Sequence, residues 1–529
     1  MPVLNWIGKE KIVNYDKEVP FRLLRKNKKY SLGKSENLIV EGDNLEALKA
    51  LMPFYYGKIK CIYIDPPYNT GNEKWIYNDN VNAPKIKEWL GKVVGPEGED
   101  LCRHDKWLCM MYPRLKLLRD LLSEDGVIFV SIDENELAHL IKIMEEIFSF
   151  IDVIIWKKSS EGRYGKMKNV TTFRKDHEYI IVGYKSSGTK FNKMWEFPDF
   201  VYEYSNPDND PRGPYKAGSI SRREDASDPH HKNYYTVIAP SGRKITRQWD
   251  FPIEDFKKFD KEKRLFWGKK GDNIPAIKIF LNEKRFVTPY SVFLTKGNTT
   301  DAKEDLRRIF NLKESKTDIF PNPKPVELVK TLIQLTTNKN SIILDSFAGS
   351  GTTGHAVLEL NKEDGGNRKF ILVELEKDIA KKITAERMKR VIKGYSYKKN
   401  RKETVKVKGL GGGFEYVELG EPLFDKNGTI SGKISFNDLA SYIYFTETHT
   451  NLEKSKIREN YLGEYNGVHY FLFFDGVPKV NVLNRKLLKE IKNKEGQKIV
   501  YADKCLIDED VLDKHQIIFK QIPYAIKVY

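Results

Sequence analysis

Short apolar runs that stop at an acidic residue recur along this chain, separated by segments whose apolar residues fall at helical spacing. Leu38-Ile39-Val40-Glu41-Gly42-Asp43 reads as a buried strand ending in an acid, and Leu45, Leu48 and Leu51 predict a short helix after it. A second run, Ile59-Lys60-Cys61-Ile62-Tyr63-Ile64, stops at Asp65-Pro66-Pro67-Tyr68 and the turn Asn69-Thr70-Gly71. Residues 72–105 have weak periodicity and several glycines and read as a mobile loop. Trp107, Leu108, Met111, Leu115, Leu118 and Leu122 carry helical spacing; Ser123-Glu124-Asp125-Gly126 closes that helix, and a strand follows at 127–132. After a helix over 134–147, strand-like runs at 152–156 and 178–184 are expected to pair antiparallel. Alternation of this kind predicts an α/β sheet.

The pattern changes over 187–315. Helical periodicity fades there and aromatics interleave with Arg and Lys, which reads as an inserted irregular domain. Order restarts at Phe320-Pro321-Asn322-Pro323-Lys324-Pro325, and Val326, Val329, Leu332 and Ile333 predict a helix. Ser341-Ile342-Ile343-Leu344 is the next strand, and a glycine-rich turn over 346–353 precedes a helix opened by Ala356, Val357 and Leu360. Phe370-Ile371-Leu372-Val373-Glu374 is again a strand stopping at an acid. A basic stretch from Arg387 to Lys408 leads to Gly409-Leu410-Gly411-Gly412-Gly413, a linker into a tail with a helix near 436–444 and a strand-like run at 468–474.

At 529 residues the chain exceeds one ordinary core, so two or three domains are expected. Lys plus Arg number 91 against 74 Asp plus Glu, a formal charge of +17. That excess fits a polyanion partner, although a lysine-rich proteome gives the same balance. Four cysteines, Cys61, Cys102, Cys109 and Cys505, form no C-x-x-C pair and have no matching His cluster. No metal site or disulfide framework is expected, and a reducing cytoplasm fits. The start, Met1-Pro2-Val3-Leu4-Asn5-Trp6, lacks the regions of a secretory signal, and no apolar stretch reaches the roughly 18–20 residues of a membrane span.

Two motifs carry chemistry. Asp65-Pro66-Pro67-Tyr68 gives a stiff turn with an acid, carbonyls free of ladder partners and an aromatic face, suited to a flat ring bearing an exocyclic amine. A plain Pro-rich turn after a strand stays open for this tetrapeptide taken alone. In the second motif, Phe347, Gly349 and Gly351 lie in a strand–turn–helix where backbone can approach a ligand and a helix start offers N–H groups to a carboxylate. Thr352 and Thr353 add hydroxyls, and Asp345 is placed to orient an ammonium group. Glu374, ending the next strand, is placed to accept from two ribose hydroxyls. A dinucleotide site prefers G-x-G-x-x-G, and a triphosphate loop needs Gly-Lys-Ser/Thr where this chain has Gly354-His355-Ala356. A nucleoside carrying a carboxylate fits better than either, with a purely structural glycine turn as the alternative.

Together, D-P-P-Y at 65–68 and F-x-G-x-G at 347–351 resemble the signature motifs of S-adenosylmethionine-dependent DNA amino-methyltransferases. Catalytic motif first, long insertion, then cofactor motif is the order of the permuted β group. The wording is similar to the modification (methyltransferase) subunits of type III restriction-modification systems, in D-P-P-Y-N-T-G at 65–71, S-x-x-G-x-I-x-V-S-I-D-x-x-E at 123–136, H-E-Y-I at 177–180, N-P-K-P at 322–325 and S-F-A-G-S-G-T-T at 346–353. The resemblance covers about 36–190 and 315–390. It implies a circularly permuted Rossmann-like class I methyltransferase sheet. The expected division is an N-terminal arm (1–35), a catalytic half (36–186), a target-recognition domain (187–315), a cofactor-binding half (316–408) and a C-terminal α+β accessory domain (409–529).

The resemblance also implies roles. Asp65, Pro66, Pro67 and Tyr68 would hold the target amine, and S-adenosyl-L-methionine would be held by Asp345, Phe347, Gly349, Gly351, Thr352, Thr353 and Glu374. Asp43 corresponds to the acid that accepts from the cofactor's adenine amino group, with a strand-end turn acid as its alternative; Lys324 is a cofactor-side candidate, and His177 a structural residue. Arg222, Arg223, Arg243, Lys244, Arg247 and Trp249 are candidates for contact with double-stranded DNA, against a solvated basic surface with core aromatics. Asp at the first motif position resembles adenine-N6 enzymes; cytosine N4 is the alternative, followed by RNA methylation and a catalytically inactive DNA-binding module. A homodimer and a separate restriction (helicase-nuclease) subunit are the implied protein partners.

Overall fold

The computed structural model describes residues 3–70, 103–159, 173, 175–196, 204–283, 285–294, 296–312, 319–399, 403–425, 429–432, 434–453, 457–491 and 494–523. The loop expected at 72–105 lies outside them up to residue 102, as do Gly71 and Cys102. Two compact units make up the chain: Met1–Asn192 with Tyr290–Tyr529, and Lys193–Pro289.

A ten-stranded sheet forms the first unit. Its strands are β1 (Arg22–Lys26), β2 (Leu38–Glu41), β3 (Ile59–Ile64), β4 (Leu122–Ile132), β5 (Phe150–Lys157), β6 (His177–Tyr184), β7 (Val292–Phe293), β8 (Ile342–Asp345), β9 (Lys369–Glu374) and β10 (Glu415–Pro422). They lie in the order β1-β10-β2-β9-β8-β3-β4-β6-β5-β7. From β10 to β4 the strands run parallel, whereas β6 is antiparallel to both β4 and β5. Parallel strands are covered on both faces and therefore read as continuous apolar runs. Ile343, Leu344, Phe370, Leu372 and Val373 are each 0% exposed, and each such side chain contributes about 1.5–3 kcal/mol of transfer free energy.

The helices that matter for the site are α1 (Asn44–Tyr55), α2 (Arg103–Leu121), α3 (Leu137–Ile147), α4 (Val326–Thr336), α5 (Thr352–Asp364), α6 (Ala385–Lys393) and α7 (Phe436–Thr448). Through α5 the chain passes from β8 to β9, and through α2 from β3 to β4, so the two connections leave the β8–β3 pair in opposite directions along the sheet. A crevice opens at the carboxyl ends of strands where this reversal occurs.

Several sequence boundaries are corrected. Residues 1–35 are not a free arm: β1 pairs antiparallel with β10 at the sheet edge, and Trp6, Ile12, Val19 and Leu23 join the main core. A short run flanked by charges, Arg22-Leu23-Leu24-Arg25-Lys26, is that of an edge strand rather than of a buried one. The accessory segment does not begin at the glycine linker, because β10 joins β2 and α7 packs its Leu439, Ala440, Tyr442 and Ile443 into the same core. A four-stranded sheet of Tyr461–Tyr465, Val468–Leu472, Gln497–Ala502 and Ile517–Gln521 follows. The insertion is shorter than 187–315, since the helix Thr299–Phe310 belongs to the first unit.

Nor is the second unit irregular. Tyr215–Ser219, Leu265–Phe266 and Ala276–Phe280 form a three-stranded sheet, and Tyr234–Ile238 pairs with Lys244–Gln248 in a hairpin. Ile220, Val237, Ile245, Trp249, Phe256 and Trp267 pack into a core of its own. Truncating the central strand of the first unit, Phe370→Ala, is expected to cost about 3–5 kcal/mol. Phe370 is 0% exposed, and the check is the shift in the midpoint of the denaturant transition between wild type and variant.

Candidate active site

β3 stops because Pro66 and Pro67 cannot donate to a ladder. Past them, Asn69 adopts the left-handed conformation at φ 58° and turns the chain toward α2. Trp107 on α2 donates its indole N–H to the Pro67 carbonyl at 2.7 Å. Among the described residues the Pro66 carbonyl accepts no hydrogen bond.

Lys324 reaches into this turn from the segment before α4. Its Nζ lies 2.8 and 2.9 Å from the two Asp65 oxygens and 2.8 Å from the Tyr68 hydroxyl. The same ammonium sits 4.9 Å from the Tyr68 ring centroid. Glu178, on β6, accepts from the Tyr68 hydroxyl at 3.1 Å and from Lys158 at 3.2 Å, and lies 3.4 Å from Lys324. Burial opposes the Lys324 charge, yet Asp65 and Glu178 more than offset it and hold its pKa above the ordinary value. Burial likewise opposes the Glu178 charge, and Lys324 with Lys158 outweigh it, holding that carboxyl low. The Tyr68 phenol is pushed well up by burial and by the two carboxylates. Lys324 therefore stands beside the D-P-P-Y acid, not apart from it. Glu178 escaped the sequence reading, although the H-E-Y-I string that contains it was part of the resemblance.

On the neighbouring strand, β8 delivers Asp345 and the glycine turn. Asp345 accepts from the Phe347 N–H at 3.0 Å and from the Thr353 hydroxyl at 2.5 Å, so its carboxyl braces the turn from within. Gly349 has φ 50°, and a Cβ there would stand 2.8 Å from the Phe320 ring. Gly351, at φ 80°, precedes α5 with no side-chain cap, leaving that helix start open to an acceptor. Phe347 is half-buried against the main core. Arg387 was read only as part of a basic stretch, but it is 1% exposed and donates to the Ser350 carbonyl and the Thr352 hydroxyl at 3.2 and 2.9 Å.

Glu374 binds its own surroundings: one oxygen accepts from the Gly349 N–H and the other from the Glu376 N–H, both at 2.9 Å. Asp43 caps α1 through the N–H groups of Leu45 and Glu46 at 2.9 and 3.3 Å, and pairs with Arg114 at 3.3 Å. Beside these acids a cleft of about 380 Å³ is lined by Gly42, Asp43, Glu46, Leu375, Lys377 and Leu419, among others. The Ser346 hydroxyl, at the root of the glycine turn, is buried without a partner. Glu41 and Asp43 at the end of β2, with apolar Leu375 and Leu419 beside them, suit a polar nucleoside-type ligand in that cleft.

In the second unit Arg222, Arg223, Arg243 and Lys244 are exposed and Arg247 is half-buried. Trp249 is corrected: it is 1% exposed, donates to the Tyr235 carbonyl at 2.8 Å, and is core. His177 contacts the Tyr179 hydroxyl at 3.0 Å. The sequence showed no His cluster, yet the fold gathers His104, Glu136 and His139 within 4.8 Å. Each imidazole meets a different Glu136 oxygen, at 2.7 and 2.8 Å, and the Asn69 amide joins them.

Burial pushes the Asp345 carboxyl up to about 7, against the Thr353 and Phe347 hydrogen bonds. Its folded-state value thus exceeds the unfolded one of 3.8, so the protonated native form contributes stability that is present below pH 3.8 and lost as pH rises toward 7. Asp345→Asn should flatten that slope: the melting temperature of the wild type relative to the variant falls between about pH 4 and 7 and levels off above. A pH-independent difference between the two would contradict it.

A family model described as DNA methylase matches residues 59–386. The chain is 31% identical over 367 residues to the Mod subunit of the type III restriction-modification enzyme StyLTI of Salmonella typhimurium, covering 67% of this chain and 54% of that protein. It is 31% identical over 432 residues to the EcoPI Mod subunit of Escherichia phage P1, covering 72% and 64%. Type II methyltransferase M.KpnI of Klebsiella pneumoniae is 30% identical over 377 residues, covering 66% and 83%. The chain thus spans from about half to two thirds of the type III relatives. No helix among the described residues is long and apolar enough to cross a membrane. The matched stretch begins at β3 and ends in α6, taking in both the Asp65–Tyr68 turn and the glycine turn, and the chain belongs to the DNA methylase family.

Proposed function

We propose that this protein transfers a methyl group from S-adenosyl-L-methionine to the N6 amine of adenine in double-stranded DNA, as the modification component of a restriction-modification system. The observation that carries this reading is the adjacency of β3 and β8, whose ends hold Asp65-Pro66-Pro67-Tyr68 and the glycine turn side by side.

When bound, S-adenosyl-L-methionine supplies an electrophilic methyl on a sulfonium. The chain's own residues do the rest. The open start of α5 receives the carboxylate, the Ser346 hydroxyl has an unused donor, and the cleft beside Asp43 and Leu375 takes the nucleoside. Glu374, the carboxylate that ends β9, is the acceptor for ribose hydroxyls. An exocyclic amine is a poor nucleophile because its lone pair is delocalised into the ring. The Asp65 carboxylate and the Pro66 carbonyl each accept one of its N–H groups, which favours a pyramidal nitrogen with its lone pair aimed at the methyl. Tyr68 stacks on the ring, its phenol fixed by Glu178. Transfer of that methyl to the amine nitrogen would leave positive charge there, which the Asp65 carboxylate, accepting one of its N–H groups, would stabilise before taking the surplus proton or passing it to water. Positioning and fixed charge carry the rate gain.

A paired base cannot enter such a pocket, so the target must leave the duplex, at a cost of a few kcal/mol. The exposed Arg222, Arg223, Arg243 and Lys244 supply phosphate-binding chemistry in the second unit. Contact with a second copy and with a separate restriction subunit, a part suggested by the Mod relatives, completes the reading.

Expression in a methylation-free bacterial host, followed by modification-sensitive long-read sequencing, is expected to reveal N6-methyladenine at one sequence motif. Asp65→Ala should lower single-turnover methyl transfer by at least about 100-fold while cofactor binding, measured by calorimetry, changes little. Methyl groups on cytosine N4 would replace the adenine assignment, and an unmodified genome with active protein on RNA would overturn the DNA reading.

A further inference from the structure

The position an incoming amine needs is already filled by a side chain of this protein. An ammonium group has three donors. Lys324 uses all three on the acceptors that define the pocket, the two Asp65 oxygens and the Tyr68 hydroxyl. Its Nζ also lies 4.9 Å from the Tyr68 ring centroid, at the hydroxyl edge of the ring. Among the described residues the Pro66 carbonyl beside it accepts no hydrogen bond. A base whose amine must donate to Asp65 therefore meets a competitor of higher charge in the same place.

That competitor has somewhere to go. Glu178 lies 3.4 Å from the Lys324 Nζ, and it sits on a different strand from Asp65. A buried ammonium stripped of its carboxylate would be strongly disfavoured. One that trades Asp65 for Glu178 stays paired throughout. Lys158, which holds the other Glu178 oxygen at 3.2 Å, keeps that carboxylate charged and in place. Lys324 is tethered between Pro323 and Pro325, and Pro325 is the residue preceding α4, so its backbone is held while its four-carbon stem swings.

We infer that Lys324 occupies the amine-accepting position of the pocket when no base is present and hands over to Glu178 when a base enters. Lys324 acts as a gate on base entry, and Glu178 is a positioning residue acting through it. The inference rests on the reading of this pocket as an amine site. It adds that the pocket discriminates for an amine by exchange, one donor replacing another on the same carboxylate, rather than by filling a vacancy.

The test uses the full-length protein with S-adenosylhomocysteine and a fluorescein-labelled duplex carrying the motif found by sequencing. Affinity is measured by anisotropy with the target adenine and with purine, which lacks the exocyclic amine. The readout is the ratio of the two dissociation constants. In Lys324→Met the amine meets an Asp65 freed of its ammonium, and the ratio in favour of adenine should rise by at least about tenfold, the worth of one hydrogen bond to a charged group. In Glu178→Gln the displaced ammonium loses its landing site, and the ratio should fall toward one. The double variant should return to the Lys324→Met value. A purely structural loss would weaken both duplexes and leave the ratio unchanged, which overturns the gate, as does a fall in the ratio in Lys324→Met. If Lys324→Met does not fold, an unchanged ratio in Glu178→Gln overturns it equally. Absence of methyl transfer by the wild type on any DNA would instead sink the pocket reading itself.

Discussion

A short parallel ladder, Ile343 opposite Cys61 and Leu344 opposite Ile62, is the constraint on which the rest of this molecule depends. It joins two stretches of chain that are remote in sequence, and it decides what stands beside what at their carboxyl ends. A slip of one residue would turn every side chain of either strand to the opposite face. In the observed register the acid closing β8 and the acid following β3 are near enough that Asp65 helps hold the Asp345 proton. The chain then leaves the two strands in opposite directions, which opens a crevice at their carboxyl ends. Ladder and reversal together make the crevice.

Charge is then balanced inside that crevice with little room to spare. Two carboxylates, Asp65 and Glu178, face two ammonium groups, Lys324 and Lys158. Pairs this buried are not a source of stability, because desolvation offsets most of the attraction, and apolar packing would serve the fold as well. What they provide is orientation. The Tyr68 phenol is fixed from both sides, by a donor on Lys324 and an acceptor on Glu178, so its ring has little freedom to tilt. Behind them Arg387 and Thr384 brace the glycine turn through its carbonyls, at 3.2 and 2.6 Å.

How much of this was legible in the sequence depended on whether the signal was local. The strands at 38–41, 59–64 and 369–374 are apolar runs ended by acids, and a run of that kind means a covered parallel strand wherever it occurs. Strand β1 was not legible, because an edge strand with charges on its open side reads as polar chain. Strand β10 was missed because its partners are β1 and β2, nearly four hundred residues earlier by the count of 398 that separates Arg22 from Gly420. Trp249 and Arg387 were misplaced for the same reason. Trp249 stood among candidates for DNA contact and Arg387 in a basic stretch, yet the Trp249 indole found a carbonyl inside a small core and the Arg387 guanidinium found the backbone of a turn. Composition cannot tell a basic face from a buried brace. Glu178 and Lys324 could be seen as letters of motifs, but their meeting required β6 and the segment before α4 to converge on Asp65.

The Thr352 hydroxyl, at the first position of α5, donates to the backbone carbonyl of Lys324 at 3.1 Å. The start of α5 is thus tied to the backbone of Lys324, which Pro323 and Pro325 stiffen on either side. Thr352 in that way fixes the point from which the ammonium reaches Asp65.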